Sequence, residues 1–170
     1  MNMKQLMCCA ALGCAVVALA PKKAKAQVSD DDKKFLAMAA QSDVNEIALS
    51  KLAETKATVP AVKEFAETMV KQHTQLTDSM DPFAESWGLT PPTGPDEDHQ
   101  KELQKLEGLS GMDFDKEYMD DMMTDHTKAY SAFSSEVKDT KDMKFKAAVI
   151  KGKAVVAAHK NMAYSLKKKL

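Results

Sequence analysis

Arginine is absent from this 170-residue chain, and all 24 of its basic residues are lysine. Without a guanidinium fork, bidentate recognition of guanine or phosphate is unavailable, so no nucleic-acid partner is expected. Cysteine is absent beyond residue 14; Cys8, Cys9 and Cys14 are all there are. The rest of the chain has neither disulfide nor thiolate ligand, and a packed core must carry its stability. No C-x-x-C-H occurs, which excludes covalent haem, and neither a glycine-rich phosphate loop nor a nucleophile motif is present. Period-two alternation is missing as well. That removes any strand signal and any outer-membrane barrel reading.

The N-terminus reads as an export signal over residues 1–26. Lys4 supplies the charged start, Leu6 to Ala20 the apolar stretch, and Ala24-Lys25-Ala26 a cleavage site before Gln27. Ala11-Leu12-Gly13-Cys14 resembles a degenerate lipobox, but apolar residues continue past Cys14 and the usual leucine is missing three positions before it. Cleavage would remove four lysines and no acid, leaving 20 lysines against 25 acids and a charge of about −5. Residues 27–170 are then expected to form one domain, periplasmic or secreted, with no membrane span. Self-association and peripheral contact with the outer membrane are compatible with this reading. Lys167-Lys168-Lys169 fits a solvated helix end favoured by the helix dipole.

Four long segments carry helical periodicity. Ser29, with Asp32 three residues on, is an N-cap for the first, which runs to about Lys56. Thr58-Val59-Pro60 makes a tight connection into the second, which stops near Trp87 with Gly88 behind it. Thr90 to Pro95 is a rigid linker, and Asp96 to Glu107 a short polar helix within the crossover. Asp113 is read as the cap of the third long helix, with Asp115 and Glu117 complementing its dipole. Asp139-Thr140 then turns the chain into the fourth. The expected fold is all-α: a four-helix bundle of two helical hairpins joined by a long crossover.

Histidines interrupt three of the apolar stripes. The second segment reads Val62, Phe65, Met69, His73, Leu76, Met80, Phe83, Trp87, and the third Tyr118, Met122, His126, Ala129, Phe133, Val137. The fourth reads Phe145, Val149, Gly152, Val155 or Val156, His159, Met162, Leu166. Imidazole replaces an alkyl group poorly unless its nitrogens find partners in the interior. Three such positions on three helices imply that the rings meet each other or share a ligand. His99, on the acidic stretch Pro95-Asp-Glu-Asp-His-Gln, is read as solvated and inert.

Counting upward from hairpin turns assumed to lie at one end gives heights of about 18 Å for Glu46, 22 Å for His73 and 21 Å for His126. His159 falls about one turn away, at about 28 Å beside Met122. Glu46 lies on the helix face marked by Phe35, Ala39, Leu49 and Ala53. Glu46, His73, His126 and His159 are therefore candidate ligands of one divalent transition metal, with Asp43 a reserve carboxylate. Met69 and Met122 are packing residues that become reserve thioether ligands if the metal is copper. The competing reading is a buried polar layer in which the acid and the imidazoles satisfy one another and fix helix register.

These residues also carry a family resemblance. Glu46 with Leu49 and Leu52-Ala53, Phe65-Ala66-Glu-Thr-Met69-Val70 with His73, Leu109-Ser-Gly111 leading to Phe114-Asp115, then Tyr118, Asp125-His126 and His159 resemble the bacterial domain-of-unknown-function family 4142. The resemblance spans about residues 31–166 and implies a ferritin-like fold and the label of an outer-membrane protein. Two departures stand out: Gln72 where the family usually has an acid, and Lys151-Gly152 where it usually has Leu-Pro. The residues three before the histidines are Val70, Met123 and Val156, so the Glu-x-x-His pairs of ferritin di-iron centres are missing. Kinship of fold does not establish iron chemistry. The sequence thus supports an exported bundle that holds a metal between helices, against a structural envelope protein with a polar core layer. A redox enzyme would need an open coordination position as well.

Overall fold

The computed structural model describes residues 28–170; the stretches read as an export signal and as a degenerate lipobox lie outside the described residues. Five helices are present and no strand occurs among the described residues: α1 (Asp30–Lys56), α2 (Pro60–Trp87), α3 (Glu97–Gly108), α4 (Gly111–Asp139) and α5 (Met143–Lys167). Local chemistry sets their ends. The Ser29 hydroxyl accepts from the Asp32 amide at 2.9 Å, and Gly88 terminates α2 in the left-handed region at φ 69°. Asp96 caps α3 by accepting from the His99 amide at 3.0 Å.

α1 pairs with α2 and α4 with α5, but the two hairpin turns lie at opposite ends of the bundle. Asp115, in the first turns of α4, accepts from the backbone amides of Thr58 and Val59 at 3.0 Å. At the other end Phe145, opening α5, packs against Phe35 near the start of α1 and Trp87 at the end of α2. The expectation that both turns share one end is therefore corrected. The crossover explains why. Gln41 donates to the Gly94 carbonyl at 3.0 Å, Asn45 to the Asp96 carboxylate at 2.7 Å, and Lys56 to the Glu107 carbonyl at 2.6 Å. Residues 88–110 thus run the length of α1 and return the chain to the end where α2 began.

Two apolar clusters fill the interior. One gathers Leu49, Val62, Phe65, Met69, Leu106, Phe114, Tyr118, Met122 and Ala163 near the α1–α2 turn. The other gathers Phe35, Leu36, Leu76, Met80, Phe133, Phe145, Val149 and Val156 near the α4–α5 turn. Burying each large apolar side chain contributes roughly 1.5–3 kcal/mol. Gly152 admits the Phe133 ring so closely that an added Cβ would lie 2.6 Å from it. A small residue at that place, where the family resemblance leads one to expect Leu-Pro, is what this packing requires.

Three local readings change. Asp113 is exposed inside the first turn of α4, whose N-cap is Ser110. Asp115 is fully buried and caps α2 across the bundle, so it serves another helix's N-terminus besides its own. Met162 is 36% exposed while Ala163 is buried, because α5 turns Ala163 toward Val62 and Phe65. Glu117 pairs with Lys105 of α3, and Lys167 with Asp120 of α4.

Candidate metal centre

Between the two apolar clusters lies a polar layer. His73 of α2, His126 of α4 and His159 of α5 are each at least 98% buried, and their ring centroids lie 5.1–5.5 Å apart. One nitrogen from each ring lies within 4.8 Å of the other two. His159 therefore belongs to the layer itself, not to a level one turn away. With the turns at opposite ends, α5 descends past the layer in the direction that brings His159 down to it.

Each ring is oriented by an oxygen on its outer side. His73 Nδ1 meets Asp43 Oδ1 at 2.8 Å, and the other Asp43 oxygen accepts from the Thr77 hydroxyl at 3.0 Å. His126 Nδ1 meets the Met122 carbonyl at 2.8 Å, and His159 Nε2 meets Gln72 Oε1 at 2.8 Å. A carbonyl or amide oxygen can only accept, so the outer nitrogens of His126 and His159 carry the protons. Their inner nitrogens, His126 Nε2 and His159 Nδ1, are lone pairs. His73 Nε2 lies 3.4 Å from His126 Nε2, and His159 Nδ1 has no hydrogen-bond partner. An unpartnered polar atom in such a place costs about 1–3 kcal/mol.

Electrostatics keep the His126 and His159 rings neutral. Burial, then the nearby His73 ring, lowers the pKa of His126 to about 4. The same two causes, with His126 added, take His159 to about 3. Both therefore stay unprotonated and able to ligate across the neutral range.

The carboxylates divide differently from expectation. Asp43 is the acid that touches an imidazole. Glu46 is buried, but its Oε1 lies 3.7 Å from Nδ1 of His126, the nitrogen that faces away from the other two rings. Glu46 Oε2 has no partner, and burial followed by repulsion from Asp125 holds the carboxyl well above the usual range. The structure thus gathers the three histidines and sets Glu46 beside them. Met69 and Met122 sit fully buried one turn from His73 and His126, within the first apolar cluster. Gln72 stands where the family pattern has an acid. It proves to orient His159 with a neutral oxygen.

His99 is not solvated but sits in an ion-paired group. Its side chain is 19% exposed; Nδ1 lies 2.7 Å from Asp96 Oδ1, and Nε2 lies 3.5 Å from Asp125 and 3.8 Å from Glu102. Sequence reasoning missed this group because Asp125 arrives from α4. The signal available was the i, i+3 spacing of Asp96, His99 and Glu102 on one helix face.

The sequence belongs to the family described as "Domain of unknown function (DUF4142)", matching it over residues 17–166. No curated protein gives a significant match. Among solved structures, a DUF305 fragment from Deinococcus radiodurans is similar over 84% of this chain and 99% of its own, at 11% identity and TM-score 0.73. CopM in its Cu(I)-bound form is similar over 81% of this chain and 96% of its own, at 18% identity and TM-score 0.69. A candidate secreted protein of the DUF305 type from Streptomyces coelicolor covers 80% of this chain and 89% of its own, at 14% identity and TM-score 0.69. These likenesses establish the helical fold. No helix among the described residues is long and apolar enough to cross a membrane.

Proposed function

We propose that this member of the DUF4142 family is an exported protein that binds one transition-metal ion, copper foremost, through the inner nitrogens of His73, His126 and His159. The observation that carries the reading is the convergence of three imidazole nitrogens whose opposite nitrogens are each held by an oxygen. That outer hydrogen bond fixes tautomer and ring direction in metal-ligating histidines generally. The 3.4 Å between the two Nε2 atoms matches the ligand–ligand edge of roughly 3.3 Å expected for metal–nitrogen bonds of roughly 2.0–2.1 Å. Neutral imidazoles suit copper and zinc, and the thioethers of Met69 and Met122, one turn away, tilt the choice to copper. The likeness of fold to a protein solved with Cu(I), Cu(II) and silver bound supports the same choice. The Ala24-Lys25-Ala26 step and the likeness to a candidate secreted protein support export. Asp43 serves as a charge neighbour of the ion through His73, while Glu46 lies buried beside the outer nitrogen of His126.

One observation favours a structural layer instead. His73 meets Asp43 at 2.8 Å on one side and His126 Nε2 at 3.4 Å on the other, so the acid and two of the rings contact one another without an ion. His159 Nδ1 would still be orphaned. The deciding experiment measures metal in native, untagged protein and titrates apo protein with Cu(I) against a chromogenic chelator. One tight equivalent in the wild type, absent from His126→Leu, supports the metal reading. Wild-type protein that melts identically with chelator and with added copper or zinc supports the layer.

A further inference from the structure

We propose a second cation site, outside the bundle interior, in which His99 Nε2, Glu102 Oε2 and Asp125 Oδ2 bind a divalent ion of borderline hardness such as zinc. The three donor atoms lie within 4.8 Å of one another, two from successive turns of α3 and one from α4. Their separations of 3.5 and 3.8 Å exceed the 2.7–3.2 Å range of a good hydrogen bond, and approach the edge of a tetrahedron with ligand bonds of roughly 2.0–2.2 Å. Glu102 Oε2 and Asp125 Oδ2 are both shielded from solvent and lack any hydrogen-bond partner. Lys128 engages only the other Asp125 oxygen, at 2.9 Å, and leaves Oδ2 to the cluster.

The imidazole is aimed as a ligand would be. Asp96 holds Nδ1 at 2.7 Å and is itself held by the Asn45 amide at 2.7 Å, so Nε2 faces the two carboxylates. A cleft of about 450 Å³, lined by Met38, Gln41, Asn45, Asp96, His99 and Asp125, opens beside the group. It gives an ion access and room for a water as fourth ligand. One nitrogen and two anionic oxygens form a harder, more negative donor set than the three interior imidazoles, so the two sites differ in the metal they favour. An ion here would also clamp the crossover helix to α4.

The test is a zinc titration of the full chain against a competing chelator in the His126→Leu background, where the interior histidines cannot make up a three-nitrogen site. We expect one zinc equivalent, weakened at least tenfold by adding Glu102→Gln or His99→Asn. An isotherm that neither change alters overturns the site. Manganese-induced broadening of backbone amides in the wild type gives a second readout. Broadening centred on residues 99–102 and 125 supports it; broadening elsewhere or none overturns it. Copper retention by wild-type protein tests the interior site separately, so the two can fail independently.

Discussion

The two histidine clusters of this bundle use the same side chain to opposite ends. In the interior, burial leads in taking His126 to about 4 and His159 to about 3, and the oxygens that touch these two rings belong to a neutral carbonyl and a neutral amide. At the crossover, the Asp125 carboxylate 3.5 Å from Nε2 leads, with Asp96 and Glu102 behind it, and lifts His99 to about 9. One cluster presents lone pairs; the other holds, when metal-free, an imidazolium among carboxylates, whose Nε2 proton a binding metal would have to displace. What decides the difference is the charge of the contacting oxygens and the depth of burial, because each adds or removes several kcal/mol from the protonated form.

The largest expected contrast is in copper binding. His126→Leu should abolish the tight Cu(I) equivalent, while His99→Asn leaves it within about twofold, measured by chelator competition. Loss in both variants would break the distinction between the clusters. A smaller effect follows from Asp43→Asn, which keeps an oxygen near His73 but removes its charge. Outer-shell changes of this kind weaken metal affinity by about 10- to 100-fold. An unchanged affinity would show that Asp43 does not orient the ligand.

The clusters should also separate on a pH axis in metal-free protein. His126 and His159 have folded pKa values below the unfolded value near 6.5, so the unfolded state takes up protons first as pH falls. Their contribution is present in full above that value and is lost through the window from about 6.5 down to 4 for His126 and 3 for His159. For His126 alone the shift corresponds to about 3 kcal/mol. His99 has the opposite sign: its contribution is present in full below about 6.5 and is lost as pH rises through about 9. Urea melts at several pH values check this by difference. His126→Leu should flatten the acid limb and His99→Asn the alkaline limb; a common response of both variants would refute the assignment.

How much of this was legible in the sequence differs between the clusters. The helix ends at Ser29, Pro60 and Gly88, and the seam positions of His73, His126 and His159, follow from local spacing alone. Their convergence survived an inverted assumption about the turns because His73 and His126 lie near the middle of their helices. A mid-helix residue has nearly the same height counted from either end. His159 lies four residues beyond the middle of α5, so the inversion displaced it by a turn. The correction was itself available: 23 residues between α2 and α4 suffice to run the length of the bundle, which places the turns at opposite ends. The His99 group was legible only in part: the spacing of Asp96, His99 and Glu102 is local, but Asp125 comes from α4, and its facing depends on how the crossover lies. Asp115 was misread for the same reason, since nothing local shows a side chain capping a helix 56 residues earlier.

The smallest expected effect isolates the crossover from the interior. Asp96→Ala removes the acceptor for the His99 amide at 3.0 Å, the partner of the His99 ring and the anchor for Asn45. Loss of a half-buried N-cap costs about 1 kcal/mol, and the crossover adds little because much of α3 is solvent-facing. A fall in Tm of about 2–4 °C is therefore expected for a chain of this size. Copper binding should not move, since the layer between the apolar clusters touches neither Asp96 nor its partners. The second site should weaken, because a freed His99 no longer keeps Nε2 on Glu102 and Asp125. If Asp96→Ala instead lowered copper affinity, the two clusters would be one coupled unit, and Glu46 is where the coupling would pass. Its carboxyl is the buried group that the charges of Asp43, His99, Glu102 and Asp125 all reach. The double variant Asp96→Ala/Glu46→Gln would then show an interaction energy, where independent clusters give additive losses.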